Sequence, residues 1–205
     1  MAGVGENDRD RLREYFLVLR CQSGDESAFT DLFDRFGART LRYLGGLLGS
    51  DAAADAQQEV WLAVFRRISQ VTNPGAFRTW LYQTTRHRAI DVLRKEKRES
   101  ELLTVVTVEE LQPLEVPADP VAEALDRRSL EVGLAELSAT HREVLLLRYW
   151  EGMGYGEIAL ISGCSVGTVR SRLHHAKRRL REAVDRAEGG GSRGVPNQRG
   201  KGGPL

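Results

Sequence analysis

Between Ser165 and Leu180 the sequence reads SVGTVRSRLHHAKRRL, a run whose residue types separate onto two faces when wound as a helix. Ser165 is a good N-cap. With Val166, Val169, Leu173, Ala176 and Leu180 turned inward, Thr168, Arg170, Ser171, His174, His175 and Arg178 point out. The chemistry available to that face is recognition rather than bond making. Arginine and hydroxyl side chains can bond base edges in a major groove while neighbouring cations hold phosphates. A solvated basic helix is the plainer alternative. A second cationic cluster, Arg86, Arg88, Arg94, Lys95, Lys97 and Arg98, lies beside Phe77, Trp80 and Tyr82. Cations interleaved with rings suit single-stranded or melting DNA, where bases stack and the backbone follows the charge. Phe77 and Trp80 stand at helical spacing, however, and read as core residues before stacking platforms, which leaves the arginines as the better candidates.

Catalytic chemistry finds no such support. His87, His141, His174 and His175 form no metal-ligand pattern with Cys21 or Cys164, and no GxSxG, P-loop, HExxH or DxD signature occurs. His174 and His175 are adjacent, so on a helix they diverge rather than chelate. No catalytic residue, metal or cofactor is expected, and no enzyme.

The elements that must carry these groups follow from composition and period. A chain of 205 residues, 41% hydrophobic and 29% charged, forms one or two small domains. Its net charge of +1 hides a pattern: nine basic against two acidic residues over 66–98, two against ten over 99–140, and nine against five over 141–186. Two basic blocks flanking an acidic one suggest two surfaces for a polyanion with a spacer between them. No apolar run reaches the roughly 18 residues of a membrane span, and the Arg-rich first twenty residues lack a signal-peptide core, so no membrane insertion and a cytoplasmic location are expected. Two distant cysteines fit a reducing compartment and read as buried thiols.

Phe29, Leu32, Phe33, Phe36, Leu44, Leu47 and Leu48 mark one helix, with Gly49-Ser50 ending it and capping the next. That second helix, about Asp51 to Ile68, has Val60, Trp61, Val64, Phe65 and Ile68 as its apolar face. Asn73-Pro74 is a cap followed by Pro at the first helical position. The helix it opens has Phe77, Trp80, Leu81 and Thr84 on one face, but Ala89, Ile90 and Leu93 fall out of phase, which predicts a break at Thr85 to Arg88 with a basic corner. Asp119-Pro120 opens a further helix through Leu137, and Ser138 caps another ending near Trp150. Then Ile158, Ala159, Gly163, Val169 and Leu173 stand at helix-turn-helix offsets over Tyr155 to Arg179. The fold class expected is all-α. It comprises an N-terminal extension and the start of the first helix (1–22), a helical domain (23–98), an acidic linker (99–118), a second domain (119–186) and a disordered Gly-rich tail (187–205).

The strings AFTDLFDRFG, DAQQEVWLAVFRRI and FRTWLYQTTRHRAIDVLRKEKR resemble region 2 of the extracytoplasmic-function sigma factors of bacterial RNA polymerase. LSATHREVLLLRYWEG and EIALISGCSVGTVRSRLHHAKRRL resemble their region 4. The resemblance implies a subunit that binds core RNA polymerase through Asp55, Gln58, Glu59 and Trp61, with Trp61→Ala expected to weaken docking and leave the fold intact. It implies contact with the −10 element through Trp80, Arg86, His87, Arg88 and Arg94, and with the −35 element through Ser165, Thr168, Arg170, Ser171, His174, His175 and Arg178. Promoter DNA and an anti-sigma factor are the implied partners besides the polymerase. His87 stands where the family often has Asn, His175 where Arg is common, and Gly154 and Gly156 where a Ser cap and a Glu are usual. The competing reading is a stand-alone helix-turn-helix regulator.

Overall fold

The computed structural model describes residues 6–102 and 133–190. Helices α1 (Glu6–Gln22), α2 (Glu26–Leu48), α3 (Ser50–Arg67) and α4 (Phe77–Leu102) form the first domain. Helices α5 (Ala139–Leu145), α6 (Tyr155–Ser162) and α7 (Val166–Gly190) form the second. No strand occurs among the described residues, in keeping with the all-α reading. The Asp119-Pro120 helix start and most of the linker and tail assignments lie outside the described residues.

Helix α1 begins at Glu6 and fills most of the stretch expected to be an N-terminal extension and the start of the first helix. Its mostly polar sequence turns Val18 fully inward, and Gln22 Nε2 donates to the carbonyls of Ile68 (3.0 Å) and Val71 (2.8 Å), fastening it to the turn after α3. Glu14 pairs with Arg35 of α2 at 3.1 Å. Asp25 caps α2, its Oδ1 accepting from the Ala28 N–H at 3.2 Å. Hydrogen bonds from Ser27 and Arg20 hold its carboxyl down to about 2. Gly49, not Ser50, takes the cap position of α3, and Ser50 is the first helical residue. The domain core is Val18, Leu32, Phe36, Val60, Trp61, Val64, Ile68, Phe77 and Leu81. Phe65, expected inside, is 62% exposed.

The predicted break in the next helix is absent. Asn73 Oδ1 accepts from Gly75 N–H over a 3₁₀ turn at Pro74–Ala76, and α4 then runs unbroken from Phe77 to Leu102, four residues into the expected linker. The phase change has another cause: α4 serves two cores. Phe77, Leu81, Thr85 and Ala89, each a turn apart, face the first domain. Tyr82 packs edge-on against Tyr43 at 5.4 Å within the apolar cluster of the second. Thr84 and Thr85 return their hydroxyls to the carbonyls of Trp80 (2.9 Å) and Leu81 (2.8 Å), so neither interrupts the helix.

In the second domain, Leu134, Leu137, Val144, Leu145, Leu147, Met153, Ile158, Ile161, Val169, Leu173 and Ala176 make the core. Arg142 organises its entry by donating to the carbonyls of Leu134, Ala135 and Leu137 at 2.8–3.0 Å, and to Gly46 of α2 at 2.9 Å. Ser138 precedes α5 but caps it only through its carbonyl, which accepts from the N–H groups of His141 and Arg142. A π-helical stretch, Leu146–Trp150, ends that helix. Cys21 and Cys164 are half-buried rather than core thiols.

Candidate nucleic-acid interface

Helix α7 owes its placement to the turn before it. Gly163 ends α6 in the left-handed conformation (φ 62°), which a side chain would strain, and the chain reverses there into Ser165. Ser165 Oγ accepts from the Thr168 N–H at 3.1 Å and shares a 2.9 Å hydrogen bond with the Thr168 hydroxyl. Those two groups are engaged with the cap. The weak start expected for α6 is met locally: the Gly154 N–H donates to Glu157 Oε2 at 2.7 Å, half of a capping box.

Val169, Leu173 and Ala176 are buried as the period requires, whereas Val166, the first residue of α7 and expected inside, is 41% exposed. Arg170, Ser171, His174, His175 and Arg178 are exposed together on the outer face. Ser171 Oγ donates to the Thr168 carbonyl at 3.0 Å, and Arg178 lies 3.8 Å from Glu182. Four residues absent from the sequence-derived set, Arg148, Tyr149, Tyr155 and Lys177, complete the surface. Arg148 and Arg170 both lie over the ring of Tyr155, at 5.2 and 5.9 Å, and the Lys177 ammonium lies over Tyr149 at 5.2 Å. A tyrosine opening the first helix of the motif beside two arginines is the signal that could have found this cluster. Behind it, burial and then the charges of Arg179, His175 and Arg172 push the His141 imidazole below its ordinary value.

The second cationic set divides. Trp80, His87 and Arg94 stand one heptad apart on α4, with His87 and Arg94 exposed and Trp80 partly packed on the core beside Phe77 (6.0 Å). Arg86 leaves that stripe: its Nε donates to Glu143 of the second domain at 2.6 Å. Arg88 pairs with Glu59 of α3.

On α3, Asp55, Gln58 and Glu59 are exposed as expected. Trp61 is not. It is 5% exposed, packs edge-on against Phe29 (6.0 Å) and Phe33 (5.0 Å), and donates its indole N–H to Thr40 Oγ1 at 3.2 Å. The apolar groups that do reach solvent beside the polar ones are Leu62 (52%) and Phe65 (62%), with Phe33 of α2 at 42%. Apolar side chains rimmed by Asp55, Gln58 and Glu59 are the composition of a protein-binding surface.

Residues 32–99 match the family described as Sigma-70 region 2, and residues 127–180 match Sigma-70, region 4. The chain is similar to the ECF RNA polymerase sigma factor SigL of Mycobacterium tuberculosis, 36% identical over 156 residues that take in 73% of this chain and 85% of the relative. It is 29% identical over 175 residues to the ECF RNA polymerase sigma factor BldN of Streptomyces coelicolor, a match spanning 84% of this chain and 66% of that one. Among solved structures, the sigma factor RpoE in complex with the anti-sigma factor NepR from Bartonella quintana superposes with a TM-score of 0.62 at 25% identity, covering 76% of this chain and 97% of that chain. Two domain matches in this order, and a relative shared over most of its length, leave one placement: the chain belongs to the ECF sigma factors of RNA polymerase.

Proposed function

We propose that this chain binds core RNA polymerase, directs it to promoters and helps melt them, with α7 reading the −35 element and α4 the −10 element. The observation that carries the reading is the outer face of α7, where Arg170, Ser171, His174, His175 and Arg178 stand exposed on a helix positioned by a left-handed Gly163 and a Ser165 cap. A rigid capped helix of this kind presents its first turns to a major groove. On α4, Trp80, His87 and Arg94 form the −10 stripe; Arg86 and Arg88 join it once their present carboxylate partners are released. Polymerase docks on Asp55, Gln58 and Glu59 with Leu62 and Phe65, while Trp61 supports that face from beneath. The chain performs no bond chemistry and needs no cofactor; specificity is its contribution. Among the described residues no helix is long and apolar enough to cross a membrane, which supports action in the cytoplasm where the polymerase is. Likeness to a sigma factor crystallised with NepR supports an anti-sigma partner here too.

The test is co-elution of the purified chain with core RNA polymerase on a sizing column, followed by gel shifts on promoter duplex with and without core. Co-elution and a core-dependent shift are expected. Binding to a palindromic duplex alone, with no association with core, would establish a stand-alone regulator instead.

A further inference from the structure

We infer, on the reading of α7 as the −35 helix, that His175 makes the DNA-facing side of that helix proton-linked: its imidazole takes up a proton as it closes on a phosphate, so the grip of α7 tightens as pH falls. His175 is exposed and stands well beyond the Ser165 cap, roughly 15 Å along the axis at ~1.5 Å per residue. A major groove is about 12 Å wide, so a helix whose first turns sit over base edges meets the flanking backbone at that depth. The ring at position 175 then faces phosphate oxygens, and only the charged imidazole donates from both of its nitrogens.

The neighbourhood supplies cations and no idle carboxylate. The His141 ring of α5 lies 6.4 Å from that of His175, and the His174 ring meets it edge-on at 5.7 Å. On α7 itself Arg172, Arg178 and Arg179 stand within one turn. The carboxylates of the surrounding elements are engaged elsewhere: Glu182 with Arg178, Glu136 with Arg186, Glu143 with Arg86, and Glu157 with the Gly154 N–H. Among the described residues none pairs with His175, so the anion that favours its charge has to come from outside the chain.

His141 stands behind this face, half-buried, with Nδ1 3.0 Å from Ser138 Oγ. Burial first, then the charges of Arg179, His175 and Arg172, push its imidazole below its ordinary value. The inner ring therefore stays uncharged near neutral pH and leaves His175 as the member of the pair that can carry the proton. His174 shares the outer face but lies one turn from the base-reading positions Arg170 and Ser171. An arginine at position 175 would be charged at every physiological pH, whereas a histidine changes its charge between about pH 5 and 8. The complex holds more protons than the separated partners, so the association constant rises as pH falls, by at most about tenfold per pH unit for one proton.

The test is fluorescence anisotropy of a labelled mixed-sequence duplex of about 30 base pairs, titrated with the full chain from about pH 6 to 8 at fixed low salt, which reads phosphate contacts without a promoter. The parent should bind about fivefold tighter at the acid end than at the alkaline end, the gain from one proton taken up over part of that range. H175R should bind at the alkaline end as tightly as the parent at the acid end, and change by less than about twofold between them. H175Q should stay weak throughout, and H174Q and H141Q should keep most of the parent's slope, with circular dichroism confirming that each variant is folded. A parent whose affinity ignores pH, a slope that survives in H175Q, or a slope that H174Q or H141Q removes instead would overturn the inference. The core-dependent promoter shift is scored separately: its failure with the slope intact sinks the sigma reading and leaves a proton-linked DNA-binding helix standing.

Discussion

Trp61 and Phe65 are one helical turn apart, and truncating each should give opposite results. Trp61→Ala empties a site 5% exposed, strips ring contacts from Phe29 and Phe33, and removes the indole N–H from Thr40 Oγ1. Large-to-small changes of this kind in a core cost about 3–5 kcal/mol. The lost hydrogen bond adds little, because Gln57 Nε2 still reaches Thr40 Oγ1 at 3.4 Å. With a urea dependence of about 2 kcal/mol/M, the unfolding midpoint should fall by roughly 2 M. Phe65→Ala, at a residue 62% exposed whose ring meets Phe29 at 5.2 Å, should cost about 1 kcal/mol of stability. Its effect belongs in binding: affinity for core polymerase should drop about tenfold or more, as for an aromatic anchor at an interface. Urea unfolding followed by circular dichroism, beside polymerase titrations without urea, separates the two. An unchanged midpoint for Trp61→Ala, or a folded Phe65→Ala with full polymerase affinity, would refute the assignment of buried support and exposed contact.

Arg170→Ala should weaken a −35 duplex by about 1–3 kcal/mol in holoenzyme gel shifts while core binding is unchanged; equal loss of both would defeat the division of labour between domains. Glu157→Ala frees the Gly154 N–H and should cost about 0.5–2 kcal/mol in thermal melts, with Glu157→Gln recovering most of it, since the amide oxygen can still accept. Asp25 has a folded pKa of about 2 against an ordinary 3.8, so its contribution to stability is complete above the ordinary value and is lost as pH falls through the folded one. Melts through that window should show an acid slope that Asp25→Asn flattens; an identical slope in the variant would remove Asp25 as its source.

Helices α2 and α7 are legible in the sequence because the residues each buries recur at a single helical period, Leu32, Phe36, Thr40 and Leu44 on α2 and Val169, Leu173 and Ala176 on α7. Helix α4 is misread as two pieces for a physical reason: it packs against both domains, and two overlapping inward stripes cannot be told from one stripe that slips. Helix α1 is hidden by its charge, having only Leu17, Val18 and Cys21 to turn toward the core and a glutamine side chain to hold it. At the site, the outward residues of α7 follow directly from its period, whereas the placement of Trp61 and Phe65 does not. Both are aromatic on one helix, and only the position of α2 decides which is covered. Glu143 and Arg86 meet across 57 residues of chain, a pairing that no local pattern encodes.

The absence of a hinge in α4 makes it a mechanical part. Successive residues of an α-helix point about 100° apart, so Leu81 and Tyr82, neighbours in the chain, address different domains from one stiff shaft. Any torsion imposed at the face bearing Phe77, Leu81, Thr85 and Ala89 turns the face bearing Arg78, Tyr82 and Arg86 by the same angle. Repacking the first domain's core is then also an adjustment of the grip on its neighbour, and the stripe of Trp80, His87 and Arg94 rotates with both. Through this shaft, a substitution that never touches nucleic acid can still change how it is held.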